Sequence, residues 1–235
     1  LPMFFSSPLI GPIVVGAILN LDRQVFGHFM IGRPLMAGFI IGLMTGEFYY
    51  GVWMGLSVEL LWLAVLPLGG QITPNAGLAV SATLIAWMGS NFAPAVGAYQ
   101  THAGLVLSFI TVPFWAWAFT FIDRLCRLVA GSKAAEAMLA LAAGEDPQFF
   151  SRNLVGLWVT FGCSLAGIIA AVAVNTALLH LAAVLAPDIL LLNLNFLFTF
   201  IQFLGLLGMA VFLESKIFTF YLGALIASLM AISAV

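Results

Sequence analysis

Charge is what this chain has least of: 7 Lys and Arg and 9 Asp and Glu among 235 residues. The basic residues form no long run and the net charge is only −2, which excludes the electrostatic grip on phosphate backbones that nucleic-acid binding needs. Cysteine is almost absent as well. Cys126 and Cys163 lie far apart in the chain, so neither a disulfide framework nor a zinc ligand set is indicated and both are expected as free thiols. His28, His102 and His180 are scattered. No Gly-rich phosphate loop ending in Lys-Ser/Thr is present, and no Ser, His and acid set is suggested by spacing. No metal site, cofactor or catalytic residue is therefore expected. The sequence opens at Leu1 with no initiator Met, basic region or recognisable cleavage site, so a signal peptide is not claimed and a few residues before Leu1 are expected to be missing.

Apolar residues fill the space that charge leaves. They make up 63% of the chain, with a mean hydropathy of +1.17, against about 45–50% in an ordinary soluble domain. The expected fold is all-α: a polytopic integral membrane protein with six to nine hydrophobic helices, some of them re-entrant or broken. A single membrane-embedded domain over residues 1–235 is expected, since no room remains for a sizeable soluble domain. Hydrophobic segments run from Leu1 to Leu19, Pro34 to Gly46, Phe48 to Leu68, Ala76 to Met88, Ala103 to Ile122, Leu154 to Val174, Ile189 to Leu213 and Ile217 to Val235. The second and fourth are short. Each reaches about 20 Å of a roughly 30 Å hydrocarbon core, which is tolerated only where protein or a watery cavity covers the backbone ends.

The longest polar stretch, Asp123 to Arg152, has an Ala-rich middle that reads as an exposed helix. Basic residues favour cytoplasmic loops, so residues 123–152 are assigned as an extramembrane cytoplasmic segment. Counting outward, with each segment crossing once, places all seven Lys and Arg inside, including Arg23, Arg33 and Lys216. The loop at residues 71–75 then opens to the cytoplasm.

Glu59 stands out within the apolar stretch from Phe48 to Leu68. An ionised acid at mid-depth in a membrane costs on the order of 3 kcal/mol and marks a substrate or ion path by default. Glycines show which way it faces. Gly38, Gly42 and Gly46, then Gly51 and Gly55, recur every fourth residue, each set a stripe along which helix backbones can approach closely. Glu59 continues the second stripe, so it is expected to point into a protein contact, with Trp62 and Leu63 on the adjoining surface. A break rich in turn residues follows: Pro67, Gly69, Gly70, Gln71, Thr73, Pro74, Asn75 and Gly77. Gln71, Thr73 and Asn75 supply donors and acceptors. A carboxylate, side-chain amides and an indole suit a neutral polyhydroxyl ligand, so Glu59, Trp62, Gln71, Thr73 and Asn75 are the candidate substrate-binding residues.

Arg33-Pro34-Leu35, the glycine run ending at Gly46-Glu47, the spacing of Gly51, Gly55 and Glu59, and Thr73-Pro74-Asn75-Ala76 together resemble a known family. It is the membrane subunit, enzyme IIC, of the mannose, fructose and sorbose class of bacterial phosphoenolpyruvate-dependent sugar phosphotransferase systems. The resemblance is strongest from about Leu21 to Ala82 and returns faintly at Phe220-Tyr221-Leu222-Gly223. Some members carry aspartate after the loop proline, where this chain has Asn75. The resemblance implies a permease subunit in the inner (plasma) membrane of a bacterial cell that binds a hexose-type sugar and translocates it inward. It also implies a second membrane subunit, IID, cytoplasmic IIA and IIB phosphocarriers, an oligomeric membrane complex, and a phosphorylated histidine on IIB rather than on this chain.

Other classes stay open. An ion-coupled secondary transporter or channel would use Glu59 as a proton or cation site, an intramembrane enzyme would need a second polar group opposite it, and a partner or sensor subunit would not transport at all. Farther along, Asn175, Asn193, Asn195 and Gln202 are expected to bond to neighbouring helices. Glu214 and Lys216 are expected to be solvated at a turn.

Overall fold

The computed structural model describes residues 7–24, 29–62, 72–90, 92, 98–185 and 187–212, and among them there are seven helices and no strand. In chain order these are α1 (Ser7–Gln24), α2 (Pro34–Thr45), α3 (Phe48–Trp62), α4 (Ala76–Met88), α5 (Ala98–Ala142), α6 (Phe149–Leu185) and α7 (Asp188–Phe212). Each answers to one of the first seven apolar segments of the sequence. The eighth, Ile217 to Val235, lies outside the described residues, as do Gln71, His28, Glu214, Lys216 and residues 220–223.

Chain chemistry sets the short elements. Pro34 opens α2, where its missing N–H costs nothing. Gly46 ends it at φ 78 in the left-handed region that a side chain resists, donating its N–H to the Leu43 carbonyl. The turn at Glu47 then sends α3 back along α2, and the two glycine stripes face each other as the spacing demands. A Cβ on Gly51 would lie 2.7 Å from Gly42 Cα, and one on Gly55 would lie 2.6 Å from the Pro34 carbonyl oxygen. The helices touch backbone to backbone.

α4 occupies the centre, packed by α1, α2, α3, α5 and α6, and every residue from Ala76 to Trp87 is buried. Alanine, glycine, serine and threonine make up much of it, which lets its neighbours close in from all sides. Ser81 and Thr83 return their hydroxyls to the carbonyls of Gly77 and Ala79, so they bring no unpaired polarity into the core. The length of α4 matches its setting. Asn75, just before it, bonds Asn20 of α1, and Gly89, just after it, meets Leu9 of α1. α4 thus covers the same height as the α1 run between those residues, and protein covers its ends.

α5 and α6 are far longer, about 67 and 55 Å at 1.5 Å per residue. Both exceed a bilayer core of about 30 Å and project beyond the bundle as a hairpin with exposed residues from Ala134 to Glu136 and from Leu141 to Asp146. The polar stretch of residues 123–152 runs through this hairpin. Asp123, its first residue, is fully buried; the solvated part begins after it. Along the outer side of α5, Ile110, Phe114, Trp117 and Phe121 are exposed at helical spacing, an apolar stripe suited to lipid. α6 turns Thr160, Ser164, Ile168, Ala171 and Asn175 inward at the same period.

Aromatic stacking docks α7. Phe198 lies flat on Trp53 of α3 at 4.3 Å and on His102 of α5 at 4.1 Å, with Tyr50 at 6.4 Å on its edge. His102 Nδ1 sits 2.8 Å from Asn195 Oδ1, one turn earlier on α7. That bond bears out the expectation for Asn195. Asn193 is exposed instead, and the buried Asn175 amide nitrogen has no partner among the described residues. Phe198→Leu removes the stacked pairs while keeping an apolar side chain. At about 0.5–1.5 kcal/mol per aromatic pair, the expected loss is about 1–3 kcal/mol. A lower unfolding midpoint in detergent would show it, and an unchanged one would mean that α7 is held elsewhere.

Candidate functional site

Glu59 lies in the last described turn of α3. It continues the glycine stripe and meets the start of α2. Its Oε2 accepts from the Leu35 backbone N–H at 3.4 Å, and its Oε1 accepts from Arg33 Nη1 at 2.8 Å. Pro34 has no N–H, so Leu35 carries the first donor that α2 leaves unsatisfied. Arg33 itself offers no side-chain cap to that helix. The carboxylate therefore caps α2 from another helix, at the end where the helix dipole favours negative charge. Glu59 is sheltered, with a side chain 15% exposed, whereas that of Arg33 is 51% exposed.

Gly77 joins this pair to the loop. A Cβ there would overlap the Gly32 carbonyl oxygen and lie 3.5 Å from the Arg33 carbonyl carbon, so the first turn of α4 rests on the backbone that presents Arg33. Only glycine allows that approach. Asp22 of α1 shapes the same backbone by accepting from the N–H groups of Phe29, Ile31 and Gly32.

Thr73, Pro74 and Asn75 are held from the other side. Arg23 of α1 donates to the Thr73 carbonyl, to Thr73 Oγ1 at 2.8 Å and to the Pro74 carbonyl at 3.5 Å. Its Nε faces Asp123 Oδ2 at 3.3 Å. Asn75 caps α4 by accepting from the Leu78 N–H, and its own N–H donates to the Ala116 carbonyl of α5 at 3.0 Å. Its side-chain nitrogen donates into Asn20 Oδ1 at 2.8 Å and the Asp123 carboxylate at 3.0 and 3.2 Å. Asn20 in turn donates to Ser164 of α6 at 2.7 Å. The loop is thus tied to α1, α5 and α6 by a buried polar network.

Of the five sequence candidates, Glu59 and Trp62 stand on α3, and Thr73 and Asn75 on the loop. Gln71 lies outside the described residues. Trp62 Nε1 is buried with no partner among the described residues, and so is the indole N–H of Trp115, next to Ala116 on α5.

Sequence reasoning did not bring Asn20, Arg23, Asp123 and Ser164 to this place. Arg23 and Asp123 entered it only as charges at membrane edges. Their gathering with Arg33 at one end of the bundle fits the crossing count, which puts residues 23, 33, 71–75 and 123 on one side. The position of Asn20, a polar residue just beyond the first apolar segment, was the one available signal for that residue.

A family model described as PTS system sorbose-specific IIC component, EII-Sor, matches residues 7–235. A protein of Escherichia coli (strain K12) named "Putative N-acetylgalactosamine permease IIC component 2" is 32% identical over 62 residues, which are 26% of this chain and 46% of that protein. The chain therefore spans under half the length of that relative. A solved structure described as "Structure of membrane protein" superposes with a TM-score of 0.65 over 98% of this chain and 92% of the other, at 19% identity. That likeness is one of fold.

Proposed function

This chain belongs to the sorbose-specific IIC component family of the sugar phosphotransferase system, and from that premise we propose that it binds a hexose-type sugar and translocates it inward. Membership makes it a membrane component of sugar transport through that system. The proposal adds the sugar class, the path and the partners: a IID membrane subunit, cytoplasmic IIA and IIB phosphocarriers, and a bacterial inner membrane. The sugar site comprises Glu59, Trp62, Gln71 and Thr73, with Asn75 shaping the loop from behind through Asn20 and Asp123. Glu59 accepts from sugar hydroxyls, the Trp62 indole covers an apolar sugar face and offers its N–H, and the loop closes the other side.

The observation that carries this reading is a sheltered carboxylate on α3, one turn before a buried Trp62 indole N–H that has no partner among the described residues. An arriving hydroxyl competes with the half-exposed Arg33 for Glu59, an exchange that costs little because a solvated ion pair is worth about 0–1 kcal/mol. Inward release then delivers the sugar to the side where the α5–α6 hairpin projects and where phospho-IIB would meet it.

Glu59→Gln tests the reading. An amide can still accept from the Leu35 N–H, and the lost ion pair is solvent-facing, so insertion and assembly with IID are expected to persist. Uptake of labelled hexose by vesicles supplied with phosphoenolpyruvate and the soluble carriers is expected to fall at least tenfold. Uptake within twofold of the unmodified protein would remove Glu59 from the site.

A further inference from the structure

We infer that Asp123 and Arg23 are positioning residues for the sugar site, and that the carboxylate shaping its loop is carried by α5 and not by the loop itself. The inference rests on the proposal that residues 73–75 border the sugar.

The Asn75 side-chain nitrogen carries two hydrogens and faces three acceptor oxygens: Asn20 Oδ1 and both oxygens of Asp123. Every near partner of that atom is an acceptor, so position 75 must donate. An acid there could still cap α4 through the Leu78 N–H, but it would set carboxylate against carboxylate at about the 3.0 Å now spanned by the hydrogen bond. Both residues are buried, Asn75 1% exposed and Asp123 0%. Arg23 supplies the second hold, reaching Asp123 with Nε and the Thr73 and Pro74 carbonyls with its terminal nitrogens. Asp123 touches both of these groups, Asn75 and Arg23. Complete burial keeps that carboxylate from touching a ligand, so it acts through Asn75 and Arg23. It also lies on α5 where that helix leaves the bundle for the projecting hairpin, so an axial shift of the hairpin is passed directly to the loop.

Exchanging the two groups tests this. Asn75→Asp, Asp123→Asn and the double variant are each reconstituted with the partner membrane subunit and the soluble carriers. Hexose uptake, its KM and the unfolding midpoint of the purified membrane complex are measured. Each single change is expected to lower uptake at least tenfold, raise KM and lower the midpoint. Asn75→Asp opposes two buried acids, and Asp123→Asn takes the counter-charge from Arg23. The double variant keeps the net charge and can re-form the contact between positions 75 and 123. The new acid at position 75 accepts from the new amide at position 123. Asn20 then turns its amide to donate to position 75 and accepts from the Ser164 hydroxyl, which gives up its bond to the Thr160 carbonyl. Uptake within threefold of the unmodified complex, with KM and midpoint both recovered, is the expected result.

A double variant no better than either single change would overturn the inference. So would a midpoint that follows the expected pattern while uptake and KM stay unmoved in all three, because the contacts would then hold the fold and not the site. Glu59→Gln touches none of these residues, so failure of the sugar-site reading shows separately as normal uptake in that variant.

Discussion

Gly51→Leu is expected to leave no stable protein to purify from detergent-solubilised membranes. Overpacking a core with extra methylenes usually costs about 1–3 kcal/mol, because side chains shift to make room. Here there is no side chain to shift. The first added carbon at Gly51 would meet the Gly38 carbonyl and lie 2.7 Å from Gly42 Cα, both backbone groups of α2. Relief requires α2 and α3 to part along their whole contact, which also removes Glu59 from the Leu35 N–H. Even Gly51→Ala should destabilise, although alanine in a helix interior ordinarily gains about 0.8–1 kcal/mol over glycine. Gly131→Ala supplies the contrast. It lies on the exposed part of α5 with nothing within 4 Å of an added Cβ, so the propensity gain should appear as an equal or higher unfolding midpoint. Equal yields of the Gly51→Leu and Gly131→Ala proteins would contradict the backbone contact.

Arg23→Met is expected to lower the stability of the membrane complex by about 3–5 kcal/mol, the range found when one partner of a buried pair is removed and its charge stays behind. The Asp123 side chain has no exposure and that of Arg23 only 23%, so water cannot take over the lost role cheaply. The guanidinium also holds Thr73 and Pro74, and uptake should fall along with stability. Arg23→Lys keeps the charge but loses the fork. One ammonium cannot reach Asp123, both loop carbonyls and the Thr73 hydroxyl together, so an intermediate loss of about 1.5–3 kcal/mol is expected, in line with losing one charge-assisted bond. Chemical denaturation in detergent, followed for the three proteins side by side, checks the order; a Lys variant as weak as the Met variant would show that the fork, not the charge, dominates.

The helix plan was legible because it rests on local rules. Apolar runs, Pro34 at a helix start and Gly46 at a helix end place α2 and α3 without any long-range knowledge. Glycine spacing even foretold which faces of the two would touch and that Glu59 would be turned inward. Its partner was not legible. Arg33 stands 26 residues from Glu59, and in sequence it looks only like a cytoplasmic charge. Asp123 misled for a related reason: a charged residue beside an apolar run has the same signature whether it faces water or a buried arginine. Asn75 drew notice as a ligand for sugar, yet its amide is spent on Asn20 and Asp123, 55 and 48 residues away.

Composition and periodicity alone determined that this chain is a helical membrane protein and that α2 and α3 pack through glycine. Those properties follow from hydrophobic transfer and helix geometry, which act over a few residues at a time. Only the tertiary structure decided which charges meet. A carboxylate in an apolar bundle must find its counter-charge wherever packing delivers one, and that delivery depends on how α1 and α5 close around α4, which no short stretch of sequence encodes.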